Sequence, residues 1–130
     1  GIAEEVAKRI RFEKVGLLAT EATINARLFD NAFEQKKVAI IKPAQEQQAM
    51  ITKIILNILT GKKTECDKTT LLLIIDSLKL DGAEAVILGC TDLPLLITQK
   101  DVSVPVIDTV AVNAEAAINY CQHNGETYES

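Results

Sequence analysis

The amino-acid sequence predicts an α/β fold built on a parallel sheet. Two patterns carry this reading. Short apolar runs stand at 15–20, 37–42, 84–89 and 104–107, as suits strands buried on both faces of a sheet. Between them lie segments whose apolar residues recur at helical spacing. Alternation of the two is the pattern of parallel strands joined by crossover helices. The length agrees, since 130 residues make about one domain and bury roughly two thirds of the unfolded surface. A hydrophobic share of 48% with 25% charged residues is ordinary for a globular chain and excludes intrinsic disorder as its class.

Each element has its own warrant. Residues 2–12 place Ile2, Val6 and Ile10 on one side with charges between, a helix whose charged face is solvated. Residues 15–20 (VGLLAT) form the first strand. Residues 21–35 put Ile24, Leu28, Phe29, Ala32 and Phe33 on one helical face. Residues 37–42 (KVAIIK) are a second strand, stopped by Pro43. A long amphipathic helix over 44–60 ends at Gly61, the residue a helix C-terminus prefers. Residues 62–67 read as a polar loop, 68–80 as another helix, and Asp81-Gly82 as a turn. The third strand is 84–89. Thr91-Asp92-Leu93-Pro94 opens a further helix, with side-chain caps before a proline in the first turn. A fourth strand over 104–107 precedes a last helix over 109–122, and the polar tail 123–130 is expected to fray. The chain carries no repeat, low-complexity tract or linker.

Composition narrows the partners. The net charge is −4 and only Arg9, Arg11 and Arg27 are arginines, so a phosphate-backbone binder is disfavoured. With no Trp and 4% aromatics there is little to stack bases on; no nucleic-acid partner is expected. The longest unbroken apolar run, 71–75, is far below the ~20 residues of a membrane span, so no membrane partner is expected. The start, Gly1-Ile2-Ala3-Glu4-Glu5, lacks the regions of a signal peptide and an initiator Met, and reads as a processed or excised start. Cys66, Cys90 and Cys121 form no CxxC pair; the set reads as reduced thiols in a cytoplasmic protein. His123 is the single histidine, and no zinc-ligand spacing exists around it.

In parallel α/β folds ligands bind at the carboxyl ends of strands, and two segments put polar groups there. In Ala19-Thr20-Glu21-Ala22-Thr23, two hydroxyls and free backbone N–H groups would face one spot suited to an anion. The alternative is that Thr20 or Thr23 only caps the helix. In Gly89-Cys90-Thr91-Asp92, Gly89 lets the chain turn and helix amides would lower the thiol pKa below its usual ~8.5. Thr91 and Asp92 would orient the thiol, bind substrate or cap the helix. The alternative is an inert buried thiol. Cys66 and Cys121 lie away from strand ends and read as inert. Lys62 and Lys63 follow a helix C-terminus, where the dipole favours cations; binding a carboxylate is the alternative role for them. His123 reads as a dipole partner of the last helix, and Asp108 as the cap of that helix.

Three stretches together resemble one family. They are Val15-Gly-Leu-Leu-Ala-Thr20 with Thr23, the run Gly82-Ala-Glu-Ala-Val-Ile-Leu-Gly-Cys90-Thr-Asp-Leu-Pro-Leu-Leu-Ile97, and Val104-Pro-Val-Ile-Asp-Thr109 leading into Ala114-Glu115-Ala116. They are similar to the second-domain opening motif, the second catalytic cysteine motif and the closing segment of the cofactor-independent aspartate/glutamate racemases. Asp92 after the Cys-Thr pair matches the aspartate branch, where glutamate racemases commonly carry His. The similarity runs from residue 1 to about 120.

The resemblance implies a flavodoxin-like parallel sheet flanked by helices and a site between two α/β domains, each supplying one cysteine. One thiolate base and one thiol acid work on opposite faces of the substrate α-carbon, without pyridoxal phosphate or metal. Carried over, Cys90 matches the second catalytic thiol, Thr91 a substrate-contacting threonine, and Thr20 and Thr23 the threonines facing the substrate carboxylate. Asp92 adjoins the thiol, and Lys62 or Lys63 matches a lysine near the β-carboxylate. The implied partner is aspartate or glutamate.

One family feature has no counterpart here. The first cysteine sits in a Cys-Asn-Thr type motif in an N-terminal half, and nothing in this sequence resembles it. The chain is therefore expected to be a C-terminal half. Residues 1–98 would be the second α/β domain, and 99–130 a strand and helix that in the family cross back to the first. Holding one of two acid/base groups, it is expected to be inactive or severely impaired alone. A non-catalytic binding or assembly module is the alternative, as is a relative acting on glutamate, hydantoin or maleate. The apolar residues of 104–120 are expected to find cover in a homodimer or a swapped terminal element.

Overall fold

The computed structural model describes residues 2–109. It runs α1 (Ile2–Arg9), β1 (Lys14–Leu18), α2 (Glu21–Asn25), α3 (Asp30–Gln35), β2 (Ala39–Ile41), α4 (Gln45–Leu59), α5 (Glu65–Leu80), β3 (Ala85–Leu88) and β4 (Val106–Asp108). Two 3-10 turns, Leu93–Leu95 and Gln99–Asp101, lie between β3 and β4. The strands form one sheet in the order β2-β1-β3-β4 with every pairing parallel. The α/β architecture expected from the sequence is the observed one.

The sheet is buried on both faces, which is why its central strands are apolar without alternation. On one face, Ile51, Ile55 and Ile58 of α4 and Leu71, Ile75 and Leu78 of α5 pack on Leu18, Val86 and Leu88. On the other, Val6 and Ala7 of α1 and Phe33 of α3 pack on Val15, Leu17, Ala85 and Ile87. The central pair β1–β3 is fastened at both ends. At its start, the Glu84 carboxylate accepts from the N–H groups of Glu13 (2.9 Å) and Lys14 (3.0 Å). At its finish, Gly89 N–H donates to Leu18 O at 2.8 Å.

Several boundaries depart from the sequence reading. The helix expected over 21–35 is broken into α2 and α3. Arg27 adopts φ 55 between them, and this turns Leu28 outward, 59% exposed. Phe29 is buried instead and meets Phe33 edge-to-face at 5.9 Å. The aromatic pair and the buried face of α3 are satisfied by the kink, and a continuous helix is not needed.

Helix α5 starts three residues earlier than expected, because Thr64 and Asp67 form a reciprocal capping box. Asp67 N–H donates to Thr64 Oγ1 and Thr64 N–H to Asp67 Oδ2, both at 3.1 Å. Gly61 does stop α4. It sits at φ +72 in a Schellman turn, with Gly61 N–H bonded to Ile58 O (3.2 Å) and Lys62 N–H to Asn57 O (2.7 Å).

The helix expected to open at Thr91 is only the short turn Leu93–Leu95, and Asp92 makes no side-chain cap. Its carboxylate turns to Cys90 instead. Beyond it, Thr98 N–H bonds Asp101 Oδ2 at 2.9 Å and starts a second short turn.

The helix expected over 109–122 falls, beyond Thr109, outside the described residues, as do Cys121, His123 and the tail. So do Val110, Val112, Ala116, Ala117 and Ile118 of the apolar 104–120 segment. Within the described part, Val104 is buried and Val106 packs with it on the α4/α5 side. Ile107 packs on the α1/α3 side. Among the described residues, no helix is long and apolar enough to cross a membrane.

Candidate functional site at the carboxyl ends of the central strands

The register pairs Leu18 with Leu88. Thr20 and Cys90 therefore each follow a matched strand end by two residues. The two ends lie close. A Cβ at Gly89 would stand 3.2 Å from Ala19 Cβ and 3.2 Å from Leu17 Cδ1, so only glycine fits there without displacing its neighbours.

Thr20 has extended backbone and caps α2, accepting from Thr23 N–H at 3.3 Å. The two hydroxyls lie 3.1 Å apart. The capping role weighed from the sequence is present. Three of the amides expected to be free for an anion are taken. Glu21 N–H goes to Thr52 Oγ1 at 3.3 Å, Thr23 N–H to the Thr20 hydroxyl, and Ile24 N–H to Thr20 O at 3.0 Å. α2 is also only five residues long. One hydroxyl proton is shared between the threonines, which leaves one to donate outward.

Cys90 is half-buried. Its thiol donates to Asp92 Oδ2 at 3.8 Å, and the Asp92 and Leu93 amides point back at the sulfur. Burial raises the thiol pKa above its ordinary value, and the Asp92 charge adds to the rise. The two amides pull it down and are outweighed. This corrects the expectation of a lowered thiol pKa: a short 3-10 turn offers two amides, not the aligned dipole of a long helix.

Thr91 is exposed beside the thiol and Asp92 is partly buried. Asp108 pairs across from Leu88. With Pro94, Thr98 and Gln99 it lines a cleft of about 200 Å³ on the same edge of the sheet.

Lys62 is exposed in the turn that ends α4. It follows the end of α4, whose run from Gln48 to Leu59 rises about 16 Å along the helix axis, and Gln48 is the α4 residue that touches Ala19. Lys63 instead reaches the segment that follows Cys90, donating from Nζ to Leu95 O at 3.1 Å. Cys66 is exposed in the first turn of α5.

Two site-edge residues escape a reading by sequence pattern. Thr109 Oγ1 donates to Leu88 O at 2.9 Å, just below Cys90. Gln48 Nε2 donates to Ala19 O at 2.7 Å, just before Thr20. Gln48 occupies the same inward stripe of α4 as Ile51, Ile55 and Ile58. A glutamine in that stripe was the available clue.

The family model described as Asp/Glu/Hydantoin racemase matches residues 1–117. The chain belongs to this racemase family. A Pectobacterium carotovorum subsp. carotovorum protein known as the uncharacterized protein in the pnlA 3′ region is 30% identical over 96 residues. That match covers 74% of this chain and 63% of the relative. The crystal structure of a candidate Asp/Glu racemase from Yersinia pestis is 30% identical with a TM-score of 0.87, covering 93% of this chain and 55% of the other. An aspartate racemase homologue from Pyrococcus horikoshii OT3 is 32% identical with a TM-score of 0.84, covering 94% and 55%. The chain thus spans little more than half the length of these two racemase-like structures. Its four-stranded parallel sheet with flanking helices is the racemase fold over that span.

Proposed function

We propose that this chain supplies one side of the active site of an amino-acid racemase, with aspartate as substrate and Cys90 as the acid/base thiol on one face of the α-carbon. The observation that carries the reading is the matched placement of the Cys90 thiol and the Thr20/Thr23 hydroxyl pair past the ends of two paired strands. The family resemblance of the Cys90 segment supports it.

Inversion needs a proton taken from one face and another returned on the other, by groups within reach of the same carbon. In one direction the Cys90 S–H bond breaks and its proton passes to the α-carbanion, leaving a thiolate. In the reverse direction that thiolate takes the α-proton back. Burial keeps Cys90 protonated at neutral pH, which suits the donating half. A substrate ammonium beside Asp92 would offset the carboxylate charge and ease thiolate formation. The free hydroxyl proton of the Thr20/Thr23 pair would bind a substrate carboxylate, with Thr91 beside the thiol as a second contact.

The opposite face needs a second thiol. We assign it to a further α/β domain, with residues 1–98 as the domain carrying Cys90 and 99–130 as a crossing segment. The reading gives no role to a cofactor.

The test is incubation of the chain with L- and D-aspartate in D2O, with L-glutamate in parallel. Deuterium entering the α-carbon of aspartate without inversion, and lost in Cys90→Ser, is the expected result. Rapid formation of the opposite enantiomer by this chain alone would overturn the one-thiol reading. The raised thiol pKa also favours a second reading, a non-catalytic binding or assembly module. Protection of Cys90 from alkylation by aspartate separates the two, since the module reading expects none.

A further inference from the structure

We infer that Gln48 is a positioning residue that sets the Thr20/Thr23 pair by holding the end of β1 against α4. The inference rests on the proposed role of that pair as a carboxylate contact.

Gln48 is one of two buried polar residues in the described structure, at 8% exposure. Burying a primary amide in a stripe of isoleucines is unfavourable unless its groups are paired. Its Nε2 makes the short 2.7 Å bond to Ala19 O and a second contact to Thr52 Oγ1 at 3.3 Å. Its Oε1 is buried without a hydrogen-bond partner. A methionine would fill the same space without that unpaired oxygen, so packing alone does not account for a glutamine here.

The partners account for it. Ala19 directly precedes Thr20. Thr52, one turn along α4, accepts from Glu21 N–H, directly after Thr20. The two α4 side chains therefore grip the backbone on both sides of Thr20. They also hold each other, through the Gln48–Thr52 contact. Thr20 in turn orients Thr23 through the N–H bond and the hydroxyl contact. The amide orientation is fixed, because only the NH2 group can donate to a carbonyl oxygen.

The test uses amide hydrogen exchange and aspartate titration followed by NMR on the chain. Gln48→Met keeps the volume and removes the donor. Exchange at Glu21, Thr23 and Ile24 should rise at least about tenfold, with α5 and β3 amides unchanged, and aspartate-induced shifts at Thr20–Thr23 should weaken. Gln48→Glu supplies a conservative rescue, since a protonated glutamic acid can donate to Ala19 O and a carboxylate cannot. Local protection and aspartate shifts should return in that variant as pH falls. Unchanged exchange at the three amides, or an equal rise across the whole chain, would overturn the inference, as would a Gln48→Glu variant indifferent to pH. If wild-type chain shows no aspartate shifts, the proposed function fails while the exchange result still decides whether Gln48 holds the turn.

Discussion

The Cys90 thiol donates to Asp92 Oδ2, 3.8 Å away and two residues further along the chain. The carboxylate that would otherwise cap the following turn is drawn to the sulfur. The same contact helps keep the thiol protonated, because ionising it would place two negative charges side by side.

Alkylation kinetics read this directly. With iodoacetamide near pH ~8, exposed Cys66 should react well before half-buried Cys90, since only thiolate attacks and Cys90 forms it at higher pH than an ordinary thiol. Asp92→Asn removes the charge and should speed Cys90 alkylation severalfold, leaving Cys66 unchanged. Mass spectrometry of the two peptides over time measures both.

Thr20 should matter to its turn more than to the domain. Thr20→Val removes the α2 cap and the hydroxyl contact and should cost about 1 kcal/mol. Thr20→Ser keeps the oxygen and should recover most of it. Urea denaturation of the two variants gives the comparison.

Gly61 offers a clean measure of backbone strain. Its φ is +72 and nothing lies within 4 Å of the place a methyl group would occupy, so Gly61→Ala adds strain without a clash. A loss of about 1 kcal/mol is expected, read as a lower thermal midpoint.

Core packing should weigh more. Ile75→Ala empties a fully buried position between α5 and the sheet. A loss of about 2–5 kcal/mol follows for such a truncation, and denaturant titration measures it.

Acid should expose the Asp101 link. Its carboxyl is held below the ordinary value, first by the Thr98 amide and then by Lys68. A depressed carboxylate stabilises the fold above its unfolded pKa and loses that contribution as pH falls through its folded pKa. Wild type should therefore exceed Asp101→Asn in stability near neutral pH and converge with it in acid, once pH has fallen through the depressed pKa of the folded state. Denaturation midpoints across that range check the sign.

The sheet was legible because a doubly buried strand leaves an unmistakable apolar run. The place of Cys90 just past a strand end was legible because strand, glycine and thiol stand in one line of sequence. The kink at Arg27 was not, since a single positive φ in a non-glycine residue leaves the apolar spacing of 24, 28 and 29 intact. The direction of the thiol shift depends on how much of the sulfur is covered and where Asp92 turns, and both are properties of packing. Gln48 was hidden for the opposite reason to Cys90: its shortest hydrogen bond goes to a backbone carbonyl 29 residues away, and a backbone partner has no sequence letter.

The Glu84 clamp below and the Gly89 bond above give the molecule uneven tolerance to changes in length. One residue added inside β1 would send every later side chain of that strand to the opposite layer and carry Thr20 away from Cys90. One residue added at the Arg27 kink, in exposed chain with no ladder to keep, would be absorbed. Insertions and deletions among natural variants should gather at the kink and be absent from 14–20.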